Sequence, residues 1–320
     1  MQPQPPIPLT DILAARQRLA GLAVRTPLVR LELEDAPAEI FLKLENLQPT
    51  GTFKLRGAAN ALYALDRAAL ATGVWTASAG NMALALAWCA RRLGVPCTAV
   101  VPEDAPLVKL AALQRLGARL IPLPFADYQA VQRTHHCPVT AGRLVHPFGD
   151  PAVMAGNGII GLEIVEDLPD VDAVLVPYGG GGLSCGIACA VNAVRPQARV
   201  YACEVETAAP LSASLAAGRP VEVPYTPSFI SGMGAPFVFP EMWPLASRCL
   251  AGALVVSLVQ VARAVQLLAT HNHVIAEGAG AVAAAAALAG LAPAGKLVCV
   301  VSGGNIDPEK LLIILRGEVP

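Results

Sequence analysis

Lys54 stands in the run Pro49-Thr50-Gly51-Thr52-Phe53-Lys54-Leu55-Arg56-Gly57, where a turn opens directly into an amphipathic helix. Pro49 and Gly51 break the chain, Thr52 suits an N-cap, and Ala58, Ala61, Leu62 and Leu65 recur at helical spacing. A cation in the first turn meets the positive end of the helix dipole, which disfavours it. Between Phe53 and Leu55, such a lysine has reason to carry a lowered pKa and a more nucleophilic amine, of the kind that forms Schiff bases. The plainer alternative is an amine that reaches solvent beside Arg56.

Pro177-Tyr178-Gly179-Gly180-Gly181-Gly182-Leu183-Ser184 follows an apolar run and precedes a helical one. Consecutive glycines let backbone N–H groups converge, and the helix N-terminus adds positive potential, so the segment reads as a phosphate cradle. A plain tight turn does not need four glycines, whose entropy cost is high. No Gly-Lys-Ser/Thr follows, which excludes a Walker loop. A dinucleotide site stays as a rival, because Glu204 ends the next strand where a ribose-binding acid belongs. Against it, Ser184 replaces the third glycine of the fingerprint, and Lys54 has no part in it.

Three other segments carry chemistry. Ser78-Ala79-Gly80-Asn81 joins a strand to a helix and could hold a carboxylate or an oxygen substituent, or merely cap the helix through Ser78 or Asn81. Ser302-Gly303-Gly304-Asn305 ends the last strand, where it offers a hydroxyl to the same crevice or makes only a turn. Glu277, ahead of Gly278-Ala279-Gly280, is either an N-cap or a cofactor neighbour.

The elements that must position these residues alternate. Strands are expected at 40–44, 74–77, 97–101, 118–123, 173–176, 200–204 and 297–301. Helices are expected at 54–65, 81–93, 106–116, 157–166, 183–194, 257–270 and 279–291. Asp307-Pro308-Glu309 caps a last helix. Residues 137–148 read as a loop. Such alternation, with continuously apolar strands, predicts an α/β fold with parallel sheet covered on both faces, and ligands beyond the carboxyl ends of the strands. No internal repeat or linker separates domains, so any second domain is interleaved with the first.

The 320 residues are 54% hydrophobic and only 15% charged, with a net charge of −1. That excludes a disordered chain and leaves no electrostatic footprint for nucleic acid or an anionic membrane; a small molecule is the expected partner. The longest uncharged stretch, 173–194, contains Pro177 and the glycines and reads as strand, loop and helix, so a soluble, cytoplasmic protein is expected. The eight cysteines lie in apolar periodic segments, with Cys185 and Cys189 as core residues. His135-His136-Cys137 has no second cluster at ligand spacing, so it reads as loop and no metal is expected.

Thr-Gly-Thr-Phe-Lys-x-Arg-Gly, Ser-Ala-Gly-Asn, the tetraglycine loop and the late Ser-Gly-Gly-Asn, in that order, resemble the fold-type II pyridoxal-phosphate enzymes of the serine/threonine dehydratase and serine racemase group. The likeness covers the chain from about Leu22 to Asp307. It implies a tryptophan synthase β-like fold with a small domain, 68–148, inserted in a large cofactor-binding domain made of 1–67 and 149–320. It also implies a homodimer and, from where the chain ends, no C-terminal regulatory domain.

On the same resemblance Lys54 is the Schiff-base lysine of pyridoxal 5'-phosphate, with Phe53 beside the cofactor. Asn81 bonds the ring hydroxyl, Gly179, Gly180, Gly181, Gly182 and Leu183 hold the phosphate, Ser302 faces the pyridine nitrogen, and Glu277 lies near the ring. Ser78, Ala79, Gly80, Asn81 and Met82 receive the substrate. The implied activity is elimination of water and ammonia from L-threonine, L-serine or a similar β-hydroxy amino acid.

Departures qualify this. Ala79 stands where racemases carry a second serine, which argues for dehydration without racemisation. Met82 replaces a histidine and Ser231-Gly232 an Asp-Gly, leaving room for a bulkier substrate such as an aryl-serine. Glu204 matches a family metal ligand, but Pro210 stands at a second ligand position. A dinucleotide-dependent oxidoreductase is the competing class, and a non-catalytic small-molecule binder comes third.

Overall fold

Two sheets organise the chain, whose structure is a computed structural model describing residues 4–320. The first half runs α1 Leu9–Arg18, β1 Leu28–Arg30, β2 Glu39–Lys43, α2 Lys54–Tyr63, α3 Arg67–Leu70, β3 Val74–Ala77, α4 Asn81–Leu93, β4 Cys97–Pro102, α5 Leu107–Arg115, β5 Arg119–Leu123, α6 Phe125–Thr134 and β6 Arg143–Leu144. The rest runs α7 Pro151–Asp167, β7 Ala173–Pro177, α8 Gly182–Val194, β8 Arg199–Val205, α9 Pro210–Ala217, α10 Trp243–Cys249, β9 Gly252–Val256, α11 Leu258–His271, α12 Gly278–Leu288, β10 Lys296–Val300 and α13 Pro308–Leu315.

Six strands form one sheet in the order β1-β2-β10-β7-β8-β9, and four form the other in the order β5-β4-β3-β6. Among the strands of the described residues only β1 and β2 pair antiparallel. The α/β reading with parallel-rich sheets therefore holds. β3 and β7 are buried along their whole length, as continuously apolar strands covered on both faces must be. Cys185 and Cys189 lie in the core, as expected. Among the described residues no helix is long and apolar enough to cross a membrane.

Glycines let three helices pack closely behind the sheet edge. A β-carbon on Gly156 of α7 would lie 2.5 Å from the Arg56 carbonyl oxygen of α2, and one on Gly186 of α8 would lie 2.5 Å from the Met154 carbonyl of α7. Between these elements sits a buried ionic cluster. Arg56 donates to both Glu45 and Glu163, all at 2.8 Å, and Lys43 Nζ lies 2.8 Å from Glu163. Two cations balance two carboxylates, which is the condition for carrying such charge inside.

The structure corrects several expected boundaries. α7 begins at Pro151 rather than 157, because Asp150 caps it by accepting from Ala152 N–H at 2.8 Å. The stretch 137–148, expected as loop, contains β6, which pairs with β3. Thr52 is not the N-cap of α2; Phe53 holds that position, and Thr52 Oγ1 accepts from Lys54 N–H at 3.4 Å.

Candidate active site

Strands β2, β10 and β7 are parallel neighbours, so the loops after them leave the same sheet edge. The loop after β10 is stitched to the lysine turn. Phe53 N–H donates to the Ser302 carbonyl at 2.9 Å, and Gly304 N–H donates to the Gly51 carbonyl at 2.9 Å. Gly51 has φ +70°, and a β-carbon there would lie 2.5 Å from Asn305 Oδ1, so only glycine suits the turn.

That turn presents Lys54 as the first residue of α2. Its Nζ donates to the Pro147 carbonyl at 2.8 Å and lies 4.9 Å from the centroid of the Phe53 ring. Burial lowers the amine's pKa from 10.5 to about 8, and the Glu277 carboxylate works against that shift. The lowered amine read from the sequence is therefore present. Desolvation is its main cause.

In the glycine loop the β7–β8 pairing ends where Tyr178 N–H donates to the Cys203 carbonyl at 2.8 Å. From Gly179 through Ser184 the amide N–H groups then meet no acceptor among the described residues. Six amides without a protein acceptor therefore lie in and just before the first turn of the thirteen-residue helix α8, an arrangement able to take an anion. Phe148 covers it. A β-carbon on Gly180 would lie 2.2 Å from the Phe148 ring, and one on Gly182 would lie 2.6 Å from Phe148 Cα. Leu183 buries its side chain in the core, leaving its amide for a ligand.

Pro147 and Phe148 thus join the lysine to the glycine loop, and the sequence reading missed both. The only signal was their position just before the Asp150-Pro151 cap. His146, in the same strip, accepts from Gly149 N–H at 2.8 Å through Nδ1, and burial pushes its pKa down to about 3. His135 packs edge-on against it with ring centroids 4.4 Å apart.

After β3, Ser78 Oγ accepts from Gly80 N–H at 3.1 Å, and Gly80 is the N-cap of α4. Neither Ser78 nor Asn81 caps the helix in the manner expected. The amides of Asn81, Met82 and Ala83 meet no acceptor among the described residues, which makes a second helix terminus able to take an anion. Met82 turns its side chain into the core, so it offers a ligand only its backbone. Ala79 is half-buried.

Asn81 Nδ2 donates to Glu277 Oε1 at 2.7 Å, and Asn81 Oδ1 accepts from Asn305 Nδ2 at 2.8 Å. Glu277 is the N-cap of α12, yet its side chain makes no cap bond. The carboxylate lies instead over Gly303, where a β-carbon would meet Oε1 at 2.3 Å. Burial raises its pKa to about 7 against the Asn81 bond. Ser302 is buried, with Oγ 3.5 Å from the Ala279 carbonyl it donates to.

Glu204 is turned away from this chemistry. Its carboxylate accepts from Leu211 N–H at 2.9 Å and Ser212 N–H at 2.7 Å, at the start of α9. Burial raises its pKa to about 7.

A model of the family described as pyridoxal-phosphate dependent enzyme matches residues 19–303. The L-threonine ammonia-lyase of Thermotoga maritima is 40% identical over 98% of this chain and 79% of its own length. The catabolic L-threonine dehydratase of Escherichia coli (strain K12) is 36% identical over 96% of this chain and 95% of its own. The crystal structure of serine racemase from Dictyostelium discoideum superposes with a TM-score of 0.84 at 32% identity, covering 95% of this chain and all of that one.

Proposed function

We propose, from the premise that this chain belongs to the pyridoxal-phosphate-dependent enzymes, that it converts a β-hydroxy L-amino acid such as L-threonine or L-serine to a 2-oxo acid and ammonia. Relatives named for threonine ammonia-lyase and dehydratase activity support the reaction class. The observation that carries the reading is a half-buried amine of lowered pKa near two helix N-termini whose leading amides meet no protein acceptor. Pyridoxal phosphate fits that donor set. It brings an aldehyde for the amine, a phosphate for the glycine cradle, and a ring that accepts the electron pair left when the substrate loses its α-proton.

In this proposal Lys54 would be the covalent attachment point for the cofactor and, with its amine free, the base that takes the substrate's α-proton. A pKa of about 8 leaves a useful fraction unprotonated near neutral pH. Gly179, Gly180, Gly181, Gly182 and Leu183 would hold the phosphate through their amides, with Phe53 beside the ring. Asn81 would bond the ring hydroxyl, and Ser302 and Glu277 would serve the pyridine nitrogen and the ring. Ser78, Ala79, Gly80, Asn81 and the Met82 backbone receive the substrate carboxylate at the start of α4.

The rival dinucleotide reading falls, because the family match spans nearly the whole chain and the Leu211 and Ser212 amides already hold the Glu204 carboxylate. The same proposal takes 68–148 as a small domain within 1–67 and 149–320. In support, every strand of the four-stranded sheet lies between Val74 and Leu144. It also takes the enzyme as a cytoplasmic homodimer.

The visible absorption spectrum tests the reading. Protein loaded with pyridoxal phosphate should be yellow, lose its colour on borohydride treatment with the label on Lys54, and form oxo acid from L-threonine or L-serine. A protein that stays colourless with added pyridoxal phosphate and binds a nicotinamide cofactor overturns it.

A further inference from the structure

We infer that Asn305 is a positioning residue, which sets the orientation of the Asn81 amide and ties the lysine turn to α4. The inference rests on the reading above for what Asn81 would bind, but its geometry is independent of it. Asn305 Nδ2 donates to the Thr50 carbonyl at 3.0 Å and to Asn81 Oδ1 at 2.8 Å. Thr50 opens the Lys54 turn, Asn81 opens α4, and Asn305 follows β10. One side chain therefore joins loops of the six-stranded sheet to the helix that leaves β3 of the four-stranded sheet.

Hydrogen accounting gives the bond its direction. A primary amide has an oxygen and a nitrogen of similar size, so only its partners decide which way it faces. The Thr50 carbonyl can only accept, which fixes the NH₂ of Asn305 toward it. The same nitrogen then requires the oxygen of Asn81, and that leaves the NH₂ of Asn81 for Glu277, 2.7 Å away. Turning either amide sets oxygen against oxygen or NH₂ against NH₂.

Glu277 could not enforce this alone. Its pKa of about 7 makes it acceptor or donor near neutral pH, so it would satisfy either face of Asn81. Asn305 removes that freedom. Gly51 supports the arrangement, since a β-carbon there would lie 2.5 Å from Asn305 Oδ1.

Asn305→Asp tests the inference with a near-isosteric change that places an acceptor against two acceptors. Pyridoxal phosphate should bind the variant at least tenfold more weakly than the unchanged protein, with a displaced visible absorption maximum. Asn305→Ala, which removes donors without adding repulsion, should lose less. In an Asn81→Ala background the Asn305→Asp change should cost at least threefold less than in the unchanged protein, the remainder coming from the Thr50 carbonyl it still faces, a non-additivity that a merely structural role does not produce. In the cofactor-free protein, amide hydrogen exchange at residues 78–84 should quicken in Asn305→Asp. Wild-type affinity, spectrum and exchange in Asn305→Asp overturn the inference, as does an equal loss with and without Asn81. If the unchanged protein fails to bind pyridoxal phosphate, the functional reading falls, and the exchange measurement still decides the role of Asn305.

Discussion

The amine of Lys54 donates to the carbonyl of Pro147 across 2.8 Å, although the two lie 93 positions apart in the chain. Phe148, the next residue, lies against the glycine loop closely enough to forbid a β-carbon on Gly180 or Gly182. One short strip of chain therefore touches both the amine and the glycine loop, and it sets their separation. A carbonyl only accepts, so it holds the amine in either protonation state. It stabilises neither state over the other enough to undo the effect of burial.

Removing the amine should separate binding from turnover. Lys54→Ala should lose about 10³-fold or more of its oxo-acid formation, because base and attachment point go together. It should still bind pyridoxal phosphate, since the amides from Gly179 to Ser184 are untouched. Equilibrium dialysis against a turnover assay checks both, and near-normal turnover rules Lys54 out as the base.

The lowered pKa of Lys54 gives stability a pH dependence in the cofactor-free protein. Between about 8, its value in the fold, and 10.5, its ordinary value, the unfolded chain binds more protons than the folded one. Stability therefore rises with pH across that window and is flat for this group below it. The rise should be on the order of 2 kcal/mol, given that the half-buried amine keeps some solvent. Urea unfolding of the protein and of Lys54→Met at several pH values isolates it, and two parallel curves would show that the amine titrates normally.

Gly182→Ala places its methyl 2.6 Å from both the Cα and the carbonyl oxygen of Phe148, backbone atoms that no rotamer change can move. The strip must shift, at a cost of about 1–3 kcal/mol. The same displacement moves the Pro147 carbonyl, so cofactor affinity should fall with stability. Calorimetry and a pyridoxal phosphate titration follow the two quantities. A variant that keeps both would show the strip to be pliant.

Behind α2, Arg56 is 1% exposed and is shared by Glu45 and Glu163. Arg56→Met strands Glu45 in the core with only Thr26 and Gln48 as partners. The expected loss is about 3–5 kcal/mol, partly recovered by adding Glu45→Gln. Denaturant unfolding measures this, and a loss below about 1 kcal/mol would mean that the cluster merely breaks even.

Much of this was legible in the sequence where one residue type answers one physical demand. The glycine loop, the start of α4 at Asn81 with its stop at Gly94, and the Asp307 cap of α13 all lie where the residues require them. The edge elements β1 and β6 carry too few residues for a period to declare itself. Pro147 and Phe148 acquire their role only through contacts made across the fold. Thr52 lies one residue before the assigned cap: with Phe53 already helical at φ −53° and ψ −24°, its hydroxyl still takes the Lys54 N–H, at a long 3.4 Å.

Ala79 bears on the stereochemical outcome. Racemisation needs a proton donor on the substrate face opposite Lys54, and a methyl group cannot be one. The fold does not decide the matter, since a serine racemase superposes on this chain as a whole. The residue at position 79 should. L-serine or L-threonine should therefore give oxo acid with little D-isomer, as chiral chromatography of the reaction mixture will show. Ala79→Ser restores a hydroxyl beside the α4 terminus and should introduce slow racemisation alongside elimination. Substantial D-amino acid from the unchanged enzyme would mean that another group, or a water molecule, delivers the second proton. The assignment to Ala79 would then fail, even with the lyase reading intact.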